Sequence, residues 1–206
     1  CQTLAYARSR DVIHRDLKPA NVMVGAFGEV YVMDWGLAKV LRKGTTRAEP
    51  PPQPIEVSII RTRRGEDSDD GSEGTQTQAG SVLGTPAYMP LEQALGEVDR
   101  LDERADVFGL GAILCEVLTG KPPYLGRSNE EVRRKAANGD LADATARLDA
   151  CGADQELIAL AKACLAPEAI DRPRDAQAVA DGLSAYLNGV QERLQAAQRE
   201  RAVALA

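Results

Sequence analysis

Eight consecutive residues near the start constrain this chain most: His14, Arg15, Asp16, Leu17, Lys18, Pro19, Ala20 and Asn21. Two cations, a carboxylate and a carboxamide surround Pro19, whose ring fixes the backbone angle in the middle of the stretch. Such a loop offers Asp16 to accept a proton and Lys18 as a point charge for a phosphate. Asn21 is a neutral oxygen ligand for a hard metal ion. Thirteen residues past Asn21, a short apolar run ends in Asp34, Trp35 and Gly36. A second carboxylate there would complete a site for a divalent cation.

The geometry that brings Asn21 and Asp34 together is legible locally. Residues 21–24 and 29–33 are β-prone runs separated by Gly25, Ala26, Phe27 and Gly28, which reads as a hairpin. A hairpin reverses the chain, so the start of one strand and the end of the next share a rim. The two glycines belong to the turn: their spacing is not that of a phosphate-binding loop and no helix follows them.

The rest of the chain reads as helix. Residues 1–10 are the last turns of one helix, and residues 37–42 are expected to form another short one. Residues 107–118 form an apolar body starting near Arg104, opened by Asp102 or Glu103 and stopped by Gly120. Ser128 with Glu131 three residues on is a capping box for a helix over 128–138. Further helices are expected at 141–149, 154–165 and 173–187, and the tail 188–206 is helix-prone. The class is therefore mostly α with a small sheet. Residues 43–80 differ in composition. They carry Pro50, Pro51, Pro52 and Pro54, a basic patch from Arg61 to Arg64 and an acidic one from Glu66 to Glu73. Outside residues 55–60 they hold little to bury, and they are expected to be a disordered insertion.

Bulk properties exclude several classes. A net charge of −6 does not suggest nucleic-acid binding. The apolar run at 107–118 is too short to span a bilayer and contains Glu116. Cys1, Cys115, Cys151 and Cys164 form no C-x-x-C pair, so reduced thiols in a cytoplasmic protein are expected.

The order H-R-D-L-K-P-A-N followed by D-W-G resembles the catalytic loop and metal-binding motif of the protein kinases. Lys18 after the leucine favours the serine/threonine branch, in a style similar to bacterial eukaryotic-like kinases. The resemblance covers about residues 1–187. It implies ATP and Mg2+ as cofactors and protein substrates as partners, with Asp16 as the base and Lys18 neutralising the transferred phosphoryl group. Asn21 and Asp34 would hold the metal, and Met23 would lie in the floor under adenine. G-T-P-A-Y-M-P-L-E resembles the stretch in which Thr85 bridges Asp16 and Lys18 and shapes the substrate pocket. Glu92 would pair with Arg172, and Leu91 departs from the family's proline.

Asp106 would brace the loop backbone, His14 would pack beneath it, and Asp11 stands where relatives tend to carry a small turn residue. Arg15, with Lys39 as a second cation, would receive a phosphate at Ser81, with Thr75 and Thr77 as fallbacks.

The resemblance also implies a glycine-rich strand pair, a strand lysine and a helix glutamate. The 206 residues contain no G-x-G-x-x-G. The expectation is a kinase-like C-terminal lobe at 1–187 with the N-terminal lobe absent, inactive alone, followed by a tail at 188–206. Leu183, Leu187, Val190, Leu194 and Ala197 form a heptad-like seam running into that tail, where a helical linker is the expected role and self-association through the seam the alternative. The alternative is a non-catalytic kinase-like scaffolding module.

Overall fold

The computed structural model describes residues 1–41 and 83–204; the insertion expected at 43–80, Ser81, Thr75 and Thr77 lie outside them. Among the described residues, helices dominate. α1 (Gln2–Ser9) leads through strand β1 (Val12–Ile13) into the loop, and β2 (Val22–Val24) and β3 (Val30–Val32) form the hairpin. β4 (Lys39–Val40) follows. After residue 83 come α2 (Leu91–Ala94), α3 (Arg104–Thr119), α4 (Asn129–Ala137), α5 (Ala142–Ala150), α6 (Gln155–Cys164) and α7 (Ala176–Ala204).

α3 is the axis on which the rest is assembled. Val107, Phe108, Ala112 and Cys115 are fully buried, and α5, α6 and α7 pack around them. The main core joins Phe108, Ala112 and Cys115 of α3 to Tyr124, Leu148, Ile158 and Ala161. A second cluster places Leu17 of the loop with Leu4 of α1 and Ala176 of α7. The close approach of loop and helix depends on Gly109: a Cβ there would stand 2.7 Å from that of Leu17. α3 opens where Asp102 Oδ1 accepts from the Arg104 amide (2.8 Å) and closes at Gly120. Ser128 Oγ caps α4 through the Glu131 amide (3.2 Å). The returning Glu131 carboxylate takes the amide of Arg127, one residue earlier than a capping box requires.

The hairpin pairs Val22 with Val32 and Val24 with Val30, antiparallel. The helix expected at 37–42 does not form. Trp35–Leu37 is a single 3₁₀ turn, and Lys39–Val40 pairs antiparallel with Val12–Ile13. Six residues are too few to hold a helix without a packed face, whereas β1 supplies backbone partners at once, extended by the Leu41 amide on the Asp11 carbonyl (2.6 Å). The helix expected at 173–187 and the tail are one element: α7 runs 29 residues through Gly189. All side chains from 191 to 204 are exposed, and Arg193 ties this end to Asp154 and Glu156.

Candidate active site

The loop is built by two unusual backbone turns and a buried carboxylate. Arg15 is left-handed (φ 69°), as are Asp11 (φ 58°) and Asp34 (φ 57°), the three non-glycine residues with positive φ among the described residues. Aspartate tolerates this region better than most residues; for arginine the conformation costs about 1–2 kcal/mol. What holds Arg15 there is Asp106, on the first turn of α3. Its two oxygens accept the amides of His14 (2.8 Å) and Arg15 (2.9 Å). Burial pushes the Asp106 carboxyl up, against the pull of those two amide hydrogen bonds.

His14 is wholly buried. Its Nε2 lies 2.9 Å from the Met33 carbonyl, and its Nδ1 accepts the Asp16 amide at 3.3 Å. These partners place the ring hydrogen on Nε2. The ring packs edge-on against Trp35, whose indole N–H donates to the Val32 carbonyl. His14 thus joins the loop to the end of β3.

Asp16 is the hub. Oδ1 accepts from both the amide and the hydroxyl of Thr85, each at 2.9 Å. Oδ2 lies 2.8 Å from Lys18 Nζ and 3.2 Å from Asn21 Nδ2. Lys18 Nζ also donates to Thr85 Oγ1 (2.7 Å), so a carboxylate, an ammonium and a hydroxyl close a triangle. The carboxylate is 8% exposed, while Lys18 keeps a quarter of its side chain in solvent. A buried carboxylate aimed by four donors is pre-organised for proton transfer, and the partly open ammonium beside it is free to swing toward an anion.

Asn21 spends both amide hydrogens on Asp16, one on the backbone oxygen (2.8 Å) and one on Oδ2. Its carbonyl oxygen remains. Met33 N donates to the Asn21 backbone oxygen (2.8 Å), so Asp34 sits one residue beyond Asn21's opposite number. Asp34 is exposed, and its Oδ1 accepts a long 3.4 Å contact from the Gly36 amide. One neutral and one charged oxygen on a single rim fit a hard divalent ion that draws its other ligands from a phosphate. Among the described residues, no group of three or more His, Cys, Asp or Glu is arranged to hold a metal unaided. Met23 lies on β2 at 48% exposure, among other exposed apolar side chains of the hairpin.

Glu92 and Arg172 form a bidentate buried pair (2.8 and 3.0 Å). All five guanidinium hydrogens are used, the rest by the carbonyls of Arg104, Ala166 and Pro167, and the guanidinium lies over the Phe108 ring at 5.0 Å. Leu91 opens α2 without displacing Glu92. Arg15 Nε bonds the Leu37 carbonyl, and Lys39 Nζ the Val98 carbonyl; the two cations are engaged with separate backbone oxygens.

A sequence model of the protein kinase domain family matches residues 1–183. The chain belongs to that family. Among kinases similar to it, serine/threonine-protein kinase PknB of Mycobacterium tuberculosis is 35% identical over 168 residues, covering 82% of this chain and 22% of the relative. PknD of Protochlamydia amoebophila is 30% identical over 192 residues (93% and 18%). PknB of Mycolicibacterium smegmatis is 36% identical over 157 residues (73% and 20%). The chain thus spans about a fifth of the length of these serine/threonine kinases.

Three kinase-domain features were not read from the sequence. Tyr88 donates to Glu116 Oε2 at 2.6 Å, and burial, then this bond, pushes its hydroxyl pKa up. Arg147 grips Thr119 Oγ1 and the carbonyls of Lys121, Pro122 and Pro123, fixing the loop after α3. Gln93 spans from α2 to the loop. The helical spacing of Arg147 with Asp143 was the only local signal available for any of them.

Proposed function

We propose that this chain carries the substrate-side half of a serine/threonine protein kinase, transferring the γ-phosphoryl group of ATP to protein hydroxyls. The observation that carries the reading is the convergence of Thr85, Lys18 and Asn21 on the two oxygens of Asp16. In this reading Asp16 accepts the proton of the attacking hydroxyl. Thr85 fixes the carboxylate and, through its neighbours, seats the substrate chain beside it. Lys18 leaves Asp16 for the transferring phosphoryl oxygens, which frees Oδ2 at the moment a hydroxyl arrives.

Asn21 and Asp34 would hold Mg2+, which when bound neutralises phosphate charge. Met23 and the exposed apolar side chains of the hairpin would support the adenine. Asp106, His14, Glu92 and Arg172 hold the frame. We assign residues 1–187 to the catalytic domain's C-terminal lobe and 188–206 to a helical tail, in a cytoplasmic setting. No helix among the described residues is long and apolar enough to cross a membrane.

The 206 residues alone lack the glycine-rich motif that covers the phosphates, so they are expected to bind ATP weakly and not to transfer phosphate. The test uses the full-length protein with ATP, Mg2+ and serine- or threonine-bearing peptides. Transfer that disappears in Asp16→Asn supports the reading. Transfer that survives that change unaltered would overturn it, and absence of transfer in the wild type would favour the scaffolding module.

A further inference from the structure

Gln93 is 5% exposed on α2, and its carboxamide joins segments distant in sequence. Nε2 donates one hydrogen to the Arg15 carbonyl (2.7 Å) and the other to the Leu83 carbonyl (2.8 Å). Its Oε1 is buried with no hydrogen-bond partner. An unpaired buried oxygen is unfavourable, so what the position uses is the pair of N–H donors. Turned over, the amide would set its oxygen against two carbonyl oxygens, which excludes the other orientation. Room for the crossing is kept by Gly84. At φ +118°, a Cβ there would stand 2.7 Å from Gln93 Nε2 and 3.4 Å from the Arg15 oxygen.

The carbonyl that Gln93 grips belongs to the peptide unit leading into Asp16. Asp106 holds the Arg15 amide on one side, and Gln93 holds the Arg15 carbonyl on the other. Between them, the left-handed turn at Arg15 has no freedom to relax. Without Gln93 the peptide leading into Asp16 keeps only the long contact of the Asp16 amide on His14 Nδ1 (3.3 Å), and the aim of the Asp16 carboxylate toward Thr85 loosens.

We propose that Gln93 is a positioning residue for phosphoryl transfer. It sets the peptide that presents Asp16 and ties it to the chain at Leu83, so that loop and returning segment move as one unit. It touches neither substrate nor nucleotide. The inference rests on the reading of Asp16 as the base.

The test measures kcat and KM for ATP and peptide in the full-length protein carrying Gln93→Met, Gln93→Glu or Asp16→Asn. Gln93→Met is expected to lower kcat about 10- to 100-fold, the scale of an ångström-level misplacement, with both KM values within about 2-fold of wild type. Gln93→Glu is expected to be worse, because a carboxylate of the same shape faces two acceptors. A merely structural role predicts lowered thermal stability with kcat of the folded protein unchanged.

Wild-type kcat in Gln93→Met, or Gln93→Glu more active than Gln93→Met, overturns the proposal. Asp16→Asn separates the two readings: if it is inactive, either result speaks about Gln93 alone; if it is active, the base assignment falls and this inference with it. Should Gln93→Glu not fold by circular dichroism, Gln93→Asn replaces it. That side chain is one methylene too short to span both carbonyls and is expected to repeat the kcat-selective loss.

Discussion

The loop at residues 14–21 and the hairpin that follows it are adjacent in sequence, yet they are held by different means. The loop is fastened from afar. Asp106, Thr85 and Gln93 reach it from 69 to 92 residues away, and each bond involves a buried or half-buried group. The hairpin is fastened mainly to itself, by three pairs of its own residues and the Gly25 to Glu29 closure. Phe27 at its tip is 93% exposed, and Met23, Val24, Val30 and Tyr31 are about half exposed or more. The difference teaches where rigidity is placed: at the carboxylate that must be aimed, and less at the rim that must admit a bulky ligand.

Several substitutions sharpen or break this contrast. The largest effect is expected at the hub: Asp16→Asn should lower kcat of the full-length protein by roughly 10³-fold, the range for loss of a general base, with the chain still folded by circular dichroism. A loss under tenfold would mean that the tethering serves something other than proton transfer. Next comes the anchor of the returning segment. Arg172→Met strands Glu92 in a site where both side chains are almost fully buried, and should cost about 3–5 kcal/mol in denaturant unfolding.

Asp106→Ala leaves two amides without acceptors and should cost about 2 kcal/mol, with faster hydrogen exchange at His14 and Arg15 and little change on the hairpin. Protection retained at those two amides would show that the loop does not depend on α3. At the small end, Phe27→Ser should move stability by no more than about 0.5 kcal/mol; a larger shift would show the hairpin tip to be packed in solution.

The sign of the acid response follows from the same carboxylate. Burial raises Asp106 above its ordinary 3.8, so proton uptake there favours the folded chain. Its contribution is full below 3.8 and is lost as pH rises through the higher folded value. Acid unfolding is therefore not driven from this group, although its protonation replaces an acceptor with a donor facing the His14 and Arg15 amides and should loosen the loop.

What was legible in the sequence divides along the same line. The loop, the hairpin, the Ser128 cap and the stop at Gly120 are set by residues within a few positions of one another, and each could be read directly. The strand at Lys39–Val40 could not. Two residues carry no periodicity, and only the partner at Val12–Ile13 makes them a strand. The tail at 188–206 read as helix-prone, but it was set apart from the helix at 173–187, a boundary that the single run Ala176–Ala204 removes. Gln93 was invisible because its partners are backbone carbonyls, one of them 78 residues away, and a carbonyl leaves no mark in a sequence.

The clamp at Arg172 has a temporal consequence. Its five donors are satisfied by groups spread from Glu92 to Pro167. The guanidinium is made after all of them. During synthesis from the N-terminus, Glu92 lacks its buried partner until residue 172 has left the ribosome. Asp16 is made well before Arg172, so a nascent or truncated chain ending before that residue holds the Glu92 carboxylate without the guanidinium that fixes it.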